Sequence, residues 1–269
     1  MKKGLFLLLI IILSIGSLLL GKLHWNNKLQ ASVLPIVDNN IVVSETEIQH
    51  VEEKIETDTV QNGLKHANQL PSPLKEKMVE IITNEEKINF AILGSKGLNG
   101  AKDSWPSLVN GTLTKEYGNV FEWNVKELTS FTSSDIVERE LHGEHIAAYD
   151  VLLLEPFFLE DNFGLIPLPE RFANIDSIIN DYKQWNEELI VMIQPSIPWH
   201  NGVNYPREID ALKQYAEEQG YIYLNHWENW PDYTDEVLLQ YVSDDRLQPN
   251  IEGNNVWAEY LINFFLSAE

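Results

Sequence analysis

Ser95 follows directly on the apolar run Ile88 to Leu93, inside Gly94-Ser95-Lys96-Gly97. Acyl transfer needs a hydroxyl on a sharp strand-to-helix turn, with backbone N–H groups facing a developing oxyanion. Ser95 is a candidate for that nucleophile; a polar loop with a helix-capping serine is the alternative. A serine nucleophile also requires a proton acceptor. Two histidines stand after other apolar runs: His226 in Asn225-His226-Trp227-Glu228-Asn229-Trp230-Pro231, and His200 in Trp199-His200-Asn201. Either is a candidate base, because triads recur in different chain orders on unrelated folds. A packed, hydrogen-bonded histidine beside tryptophans is the competing reading for both. Asp245 is a candidate to orient the base or the substrate. Glu160, Asp161 and Asp245 could instead gather as acid/base or cation-binding oxygens, or simply be solvated loop carboxylates.

The segment Asp245-Arg246-Leu247-Gln248-Pro249-Asn250-Ile251-Glu252-Gly253-Asn254 resembles the D-x-x-H-P-N-x-x-G-H block of SGNH/GDSL esterases, with both histidines replaced. Gln248 stands in the place of the base and Asn254 in that of the later His. The family's G-D-S motif corresponds to Gly94-Ser95-Lys96, and a one-residue slip is needed to bring Ser95 onto the nucleophile. The oxyanion glycine of the second block has no counterpart in Thr129 to Asp135, where the Thr/Ser run reads as a helix N-cap cluster. In the third block, G-x-N-D, Glu160 takes the Asn position within Glu155-Pro156-Phe157-Phe158-Leu159-Glu160-Asp161-Asn162. A carboxylate there repels an oxyanion.

The resemblance spans Ile88 to Phe265. It implies a three-layer α/β/α sandwich, SGNH/flavodoxin-like, with a five-stranded parallel sheet. It further implies Ser95 as nucleophile, His226 as displaced base and Asp245 as orienting acid. Gly94, Lys96, Asp161, Asn162, Trp199, His200, Gln248 and Asn250 would lie on the substrate or oxyanion side. Two functions follow: an esterase or acyltransferase on acylated cell-surface glycans, or a catalytically degraded domain binding a glycan or a protein at the old cleft. Neither reading requires a metal or another cofactor.

The elements that must position these residues are legible as alternating patterns. Short continuous apolar runs at Ile88 to Leu93, Val120 to Val125, Val151 to Leu154, Leu189 to Ile193 and Tyr221 to Leu224 read as strands. Helical spacing covers Leu74 to Thr83, the stretch opened by Ser104-Trp105-Pro106, Ser134 to Ala148, Pro169 to Trp185, Pro206 to Gln219 and Gly253 to Leu266. Such alternation predicts βαβ units and a parallel sheet covered on both faces. Ligands of open α/β sheets bind beyond the carboxyl ends of the strands. The loops after Leu93, Val125, Leu154, Ile193 and Leu224, and the loop ahead of the last helix, all fall at that edge.

Before Leu74 the composition changes. An apolar run from Gly4 to Gly21, preceded by Lys2 and Lys3, spans about 27 Å as a helix, close to a bilayer core. It predicts an uncleaved signal anchor over 1–24, with a cleaved signal peptide as the alternative, and the C-terminal domain extracytoplasmic on a single-pass membrane protein. Residues 25–70 read as an acidic stalk or linker, and Pro71-Ser72-Pro73 opens the folded domain, 71–269. The chain has no cysteine, hence no disulfide or thiolate metal site. Its formal net charge of -22 argues against nucleic acid and against docking onto anionic lipid, and favours solubility.

Overall fold

The computed structural model describes residues 58–98, 102–143 and 148–266. Five strands form one parallel sheet: β1 (Ile88–Gly94), β2 (Phe121–Glu127), β3 (Val151–Leu154), β4 (Ile190–Ile193) and β5 (Ile222–Tyr223). Their order, β2-β1-β3-β4-β5, is the flavodoxin-like one. Val151–Leu154 and Ile190–Ile193 are buried along their whole length, as strands covered on both faces must be.

Seven α-helices are named here: α1 (Leu74–Thr83), α2 (Trp105–Tyr117), α3 (Ser133–Glu138), α4 (Phe158–Gly164), α5 (Leu168–Lys183), α6 (Tyr205–Glu218) and α7 (Ile251–Leu266). The strand order reverses between β1 and β3, so right-handed crossovers place helices on opposite faces. On one face α2 and α7 pack together, with Trp105 stacked on Trp257 at 5.1 Å. On the other, α5 packs on α3 and α6 on α4. The expected α/β/α sandwich is thus present. Ahead of it, residues 58–67 are helical, Ala67 and Leu70 enter the core, and the His66 ring bonds the Leu266 carbonyl at 2.6 Å.

Three expectations need correction. The helix predicted over Ser134 to Ala148 ends at Glu138, because Glu140 turns left-handed at φ 52°; a 3₁₀ turn, Leu141–Gly143, follows. The loop containing Glu160 is instead α4, entered through a left-handed Phe157 at φ 63°. The third correction concerns the membrane. No helix among the described residues is long and apolar enough to cross a bilayer. The two longest named helices, α5 and α7, have 16 residues each, about 24 Å against a core of about 30 Å. Both carry charged residues along their lengths. The signal-anchor segment, 1–24, lies outside the described residues. The membrane partner and the single-pass, extracytoplasmic location are accordingly not carried further.

Candidate functional site

The carboxyl edge of the sheet brings β1 and β3 into close contact. A Cβ on Gly94 would lie 2.8 Å from the Glu155 Cβ, so only glycine lets the two strand ends approach this closely. Ser95, 2 % exposed, donates its backbone N–H to Glu155 Oε2 at 2.6 Å. The other oxygen of Glu155 accepts from the Phe157 N–H at 3.1 Å. Further along the same loop, the N–H groups of Gly97 and Leu98 donate to Glu127 Oε2 at 3.1 and 2.8 Å. The backbone donors around Ser95 are therefore held by the protein's own carboxylates. These are the groups an oxyanion would need.

The Ser95 hydroxyl faces two carboxyl groups, Glu155 and Glu160. Burial pushes Glu155 above the ordinary carboxylate range, against the hydrogen bonds from Ser95 and Phe157 that favour its charged form. Burial, with the charge of Glu155, pushes Glu160 up to about 8. Oε2 of Glu160 is buried and takes no hydrogen bond. Tyr205, on α6 and 4 % exposed, is pushed up by burial and by the charges of both glutamates, with a hydrogen bond from the Ser196 side chain acting against them.

His226 lies elsewhere in its bonding. It is fully buried and stacked on Trp257 at 4.0 Å. Its Nε2 donates to the Pro195 carbonyl at 2.8 Å, and Nδ1 accepts from Trp230 Nε1 at 3.0 Å. Both ring nitrogens are thus engaged, and burial depresses its pKa to about 3. The other described histidines also bond away from Ser95: His66 to Leu266, His142 to Asp181 at 2.6 Å, and His200 to the side chain of Asn201 at 3.1 Å.

The closing block folds as a structural latch. Asp245, half exposed, accepts from Ser243 Oγ at 2.5 Å and from the Leu247 N–H, and pairs with Lys96 Nζ at 3.6 Å. The Ser243 hydrogen bond, then the Leu247 N–H and Lys96, hold its carboxyl below the usual range. Gln248 is exposed, and its carbonyl receives the Ser243 N–H. Asn250 donates to the Gln240 carbonyl at 2.7 Å and accepts from the Gly253 N–H at 3.1 Å. Asn254 accepts the first N–H of α2, that of Trp105, at 2.8 Å. Ser104, at the N-cap position of α2, makes no capping bond and reaches Ser107 instead.

The remaining candidates divide between structure and cleft. Asp161 is fully buried, accepts the N–H and hydroxyl of Ser133 at 2.7 and 2.8 Å, and is raised by burial to about 6. Asn162 donates to the Glu208 carboxylate, which Arg171 also holds at 2.9 Å. Asp161 and Asp245 therefore have separate partners and do not gather with Glu160. The Thr132 cluster caps α3 through a capping box with Asp135. Trp230 and Phe157 are core residues, and Trp227 donates to the Ser196 carbonyl at 2.7 Å.

Two adjoining clefts open at this edge. One, of about 360 Å³, is lined by Lys96, Ser130, Phe131, Thr132, Glu160, Phe163, Gly164 and Leu247. The other, of about 290 Å³, is lined by Leu159, Asn162, Phe163, Trp199, Asn201, Gly202, Val203, Asn204 and Tyr205. Phe163, 59 % exposed, belongs to both and meets Trp199 edge-on at 5.4 Å. Among the described residues no group of three or more His, Asp and Glu is arranged to hold a metal ion. Glu155, Glu127 and Tyr205 were not singled out from the sequence. The register of β1 and β3, which pairs Leu93 with Leu154, is what sets Glu155 level with Gly94.

No protein-family model matches the sequence. No curated protein matches it either. Solved structures do resemble the fold. A Desulfitobacterium hafniense protein assigned to the G-D-S-L lipolytic family superposes with TM-score 0.50 at 19% identity, over 65% of this chain and 98% of its own. A carbohydrate esterase of family 3 from Talaromyces cellulolyticus gives TM-score 0.53 at 13% identity, over 68% and 100%. The esterase EstA from Pseudoalteromonas gives 0.52 at 14%, over 66% and 97%. At these identities the likeness concerns the GDSL/SGNH-like fold alone.

Proposed function

We propose that this chain is a ligand-binding derivative of the SGNH/GDSL-like esterase fold, one that has given up serine hydrolysis and takes a glycan in its cleft. One observation carries the reading: the Ser95, Gly97 and Leu98 N–H groups donate to Glu155 and Glu127. An oxyanion formed at Ser95 would meet carboxylates where hydrolysis needs donors, and nearby charge of the same sign raises its energy. The engagement of both His226 nitrogens removes the base that a triad requires. The cleft keeps aromatic faces, Phe131, Phe163 and Trp199, beside the polar groups of Ser130, Thr132, Asn201 and Asn204. Aromatic rings with polar groups at their rims suit sugar rings.

Intact-mass analysis of the folded full-length chain after exposure to a fluorophosphonate tests this reading. No adduct is expected. A single adduct that disappears in Ser95→Ala would overturn it and favour the esterase, for which Glu155 and Glu160 beside the Ser95 hydroxyl are the proton acceptors among the described residues. Binding is measured in parallel by titration calorimetry with soluble oligosaccharides.

A further inference from the structure

The two clefts at the carboxyl edge measure about 360 and 290 Å³. Each alone sits at the low end of small-molecule sites, which run from roughly 300 to 1,000 Å³, while the pair taken together falls well inside that range. Among the described residues, Phe163 is the only one that lines both. Its ring is 59 % exposed and meets Trp199 edge-on at 5.4 Å, so much of an aromatic surface stays open to a ligand.

The chain holds this ring in place by unusual means. The helix that carries it, α4, is seven residues long and is flanked by left-handed residues, Phe157 at φ 63° and Leu165 at φ 56°. Neither is a glycine, so both positions are strained, and strain of this kind gathers at ligand sites. Gly164 adds a close approach: a Cβ there would stand 2.5 Å from Thr132 Cγ2, on a side chain fixed by its capping bond to α3. The end of α4 is thereby pressed against the Thr132 loop, with Phe163 on the boundary between the two openings. A lone exposed phenylalanine needs no explanation. One set between two clefts at the end of a strained helix does.

We propose that Phe163 is the platform on which a single glycan crosses from one cleft to the other, so that the ligand is an oligosaccharide of at least two sugar rings, one to each side of this residue. This rests on the glycan-binding reading above and adds the length of the ligand and the residue that sets it. Polar groups for the sugar hydroxyls stand on both sides: Asn201 and Asn204 in the smaller cleft, Ser130 and Thr132 in the larger. Among its described lining residues the smaller cleft has no charged side chain, so a charge carried into it would go unpaired and neutral sugars are the proper probes. Two linked rings bind more tightly than one, because the second meets its cleft at the effective concentration set by the linkage.

Titration calorimetry on the full-length chain tests this with two neutral series: N-acetylglucosamine with its chitin-type dimer and tetramer, and glucose with its cellulose-type dimer and tetramer. In at least one series the dimer and tetramer are expected to bind at least about tenfold tighter than the monomer, beyond the small statistical gain of a longer chain. Phe163→Ala should bring the tetramer down to the affinity of the monomer, and Phe163→Tyr should keep the gain. Leu165→Ala should keep it too, since it removes a neighbouring apolar side chain, 85 % exposed, that lines neither cleft. The length dependence is read on the unaltered protein and so holds whatever the fate of any variant. Equal affinities for monomer and tetramer would overturn the crossing and leave glycan binding standing. So would a gain that survives in folded Phe163→Ala, or one lost equally in Leu165→Ala, since general apolar surface would then account for it. Binding of no sugar from either series by folded protein would overturn this inference together with the glycan reading.

Discussion

His226 has the chemistry of a general base and the surroundings of a core residue. Stacked on Trp257 and bonded at both nitrogens, it is expected to stay neutral in the folded protein well below the ordinary histidine range. Its folded pKa, about 3, lies below the 6.5 of an unfolded chain. Between those values the unfolded state binds more protons, so this group's contribution is full above 6.5 and is lost as pH falls toward 3. Carbon and nitrogen shifts of the ring, followed by NMR during acid titration, check it; a midpoint near 6.5 in folded protein would contradict the packed geometry. Glu160 has the opposite sign. Its folded pKa, about 8, exceeds the 4.5 of a free side chain, so its contribution is present below 4.5 and lost as pH rises through 8. Glu160→Gln should therefore gain in Tm over the parent progressively across that window, as measured by thermal unfolding at a series of pH values.

At the scale of elements, the closing block ties α7 to α2 and to the loop before it. Asn254 accepts the Trp105 N–H and donates to the Asn250 carbonyl at 2.9 Å. Asn254→Ala should cost about 1–2 kcal/mol of stability, the usual scale for a lost helix-start bond and a stranded carbonyl, read by urea unfolding. Gly253 is required for a different reason. A Cβ there would stand 2.1 Å from the Tyr241 carbonyl oxygen and 2.9 Å from the Trp230 ring. Gly253→Ala should cost more than about 2 kcal/mol, because backbone would have to move. The same urea experiment would contradict the packing of this block if the variant unfolded at the parent's midpoint. The Pro-Asn and Gly positions of the block thus serve the fold whether or not any chemistry survives.

For the whole molecule the dominant quantity is charge. A formal net charge of -22 makes the folded state repel itself, and salt screens that repulsion over about 10 Å at 0.1 M. Tm should rise as ionic strength increases from about 0.01 to 0.15 M; a flat profile in differential scanning calorimetry would show that the acidic groups are too dispersed to matter.

What the sequence by itself determined is the architecture. Apolar runs of strand length alternating with helical spacing admit few arrangements, and Val151–Leu154 and Ile190–Ile193 lie where their patterns put them. Even local caps were readable, as with Thr132 and Asp135 at α3. The helix over Phe158–Gly164 was not, because it starts from a left-handed Phe157 that no propensity favours. The site belonged to the tertiary structure. Ser95 and Glu155 are sixty residues apart in the hydrogen bond that joins them, and only the pairing of β1 with β3 makes them neighbours. The state of His226 depends on Pro195 and Trp230, and on the water their packing excludes. Residue type names which groups can carry a proton; burial and partners, set by contacts distant in the chain, decide which of them do.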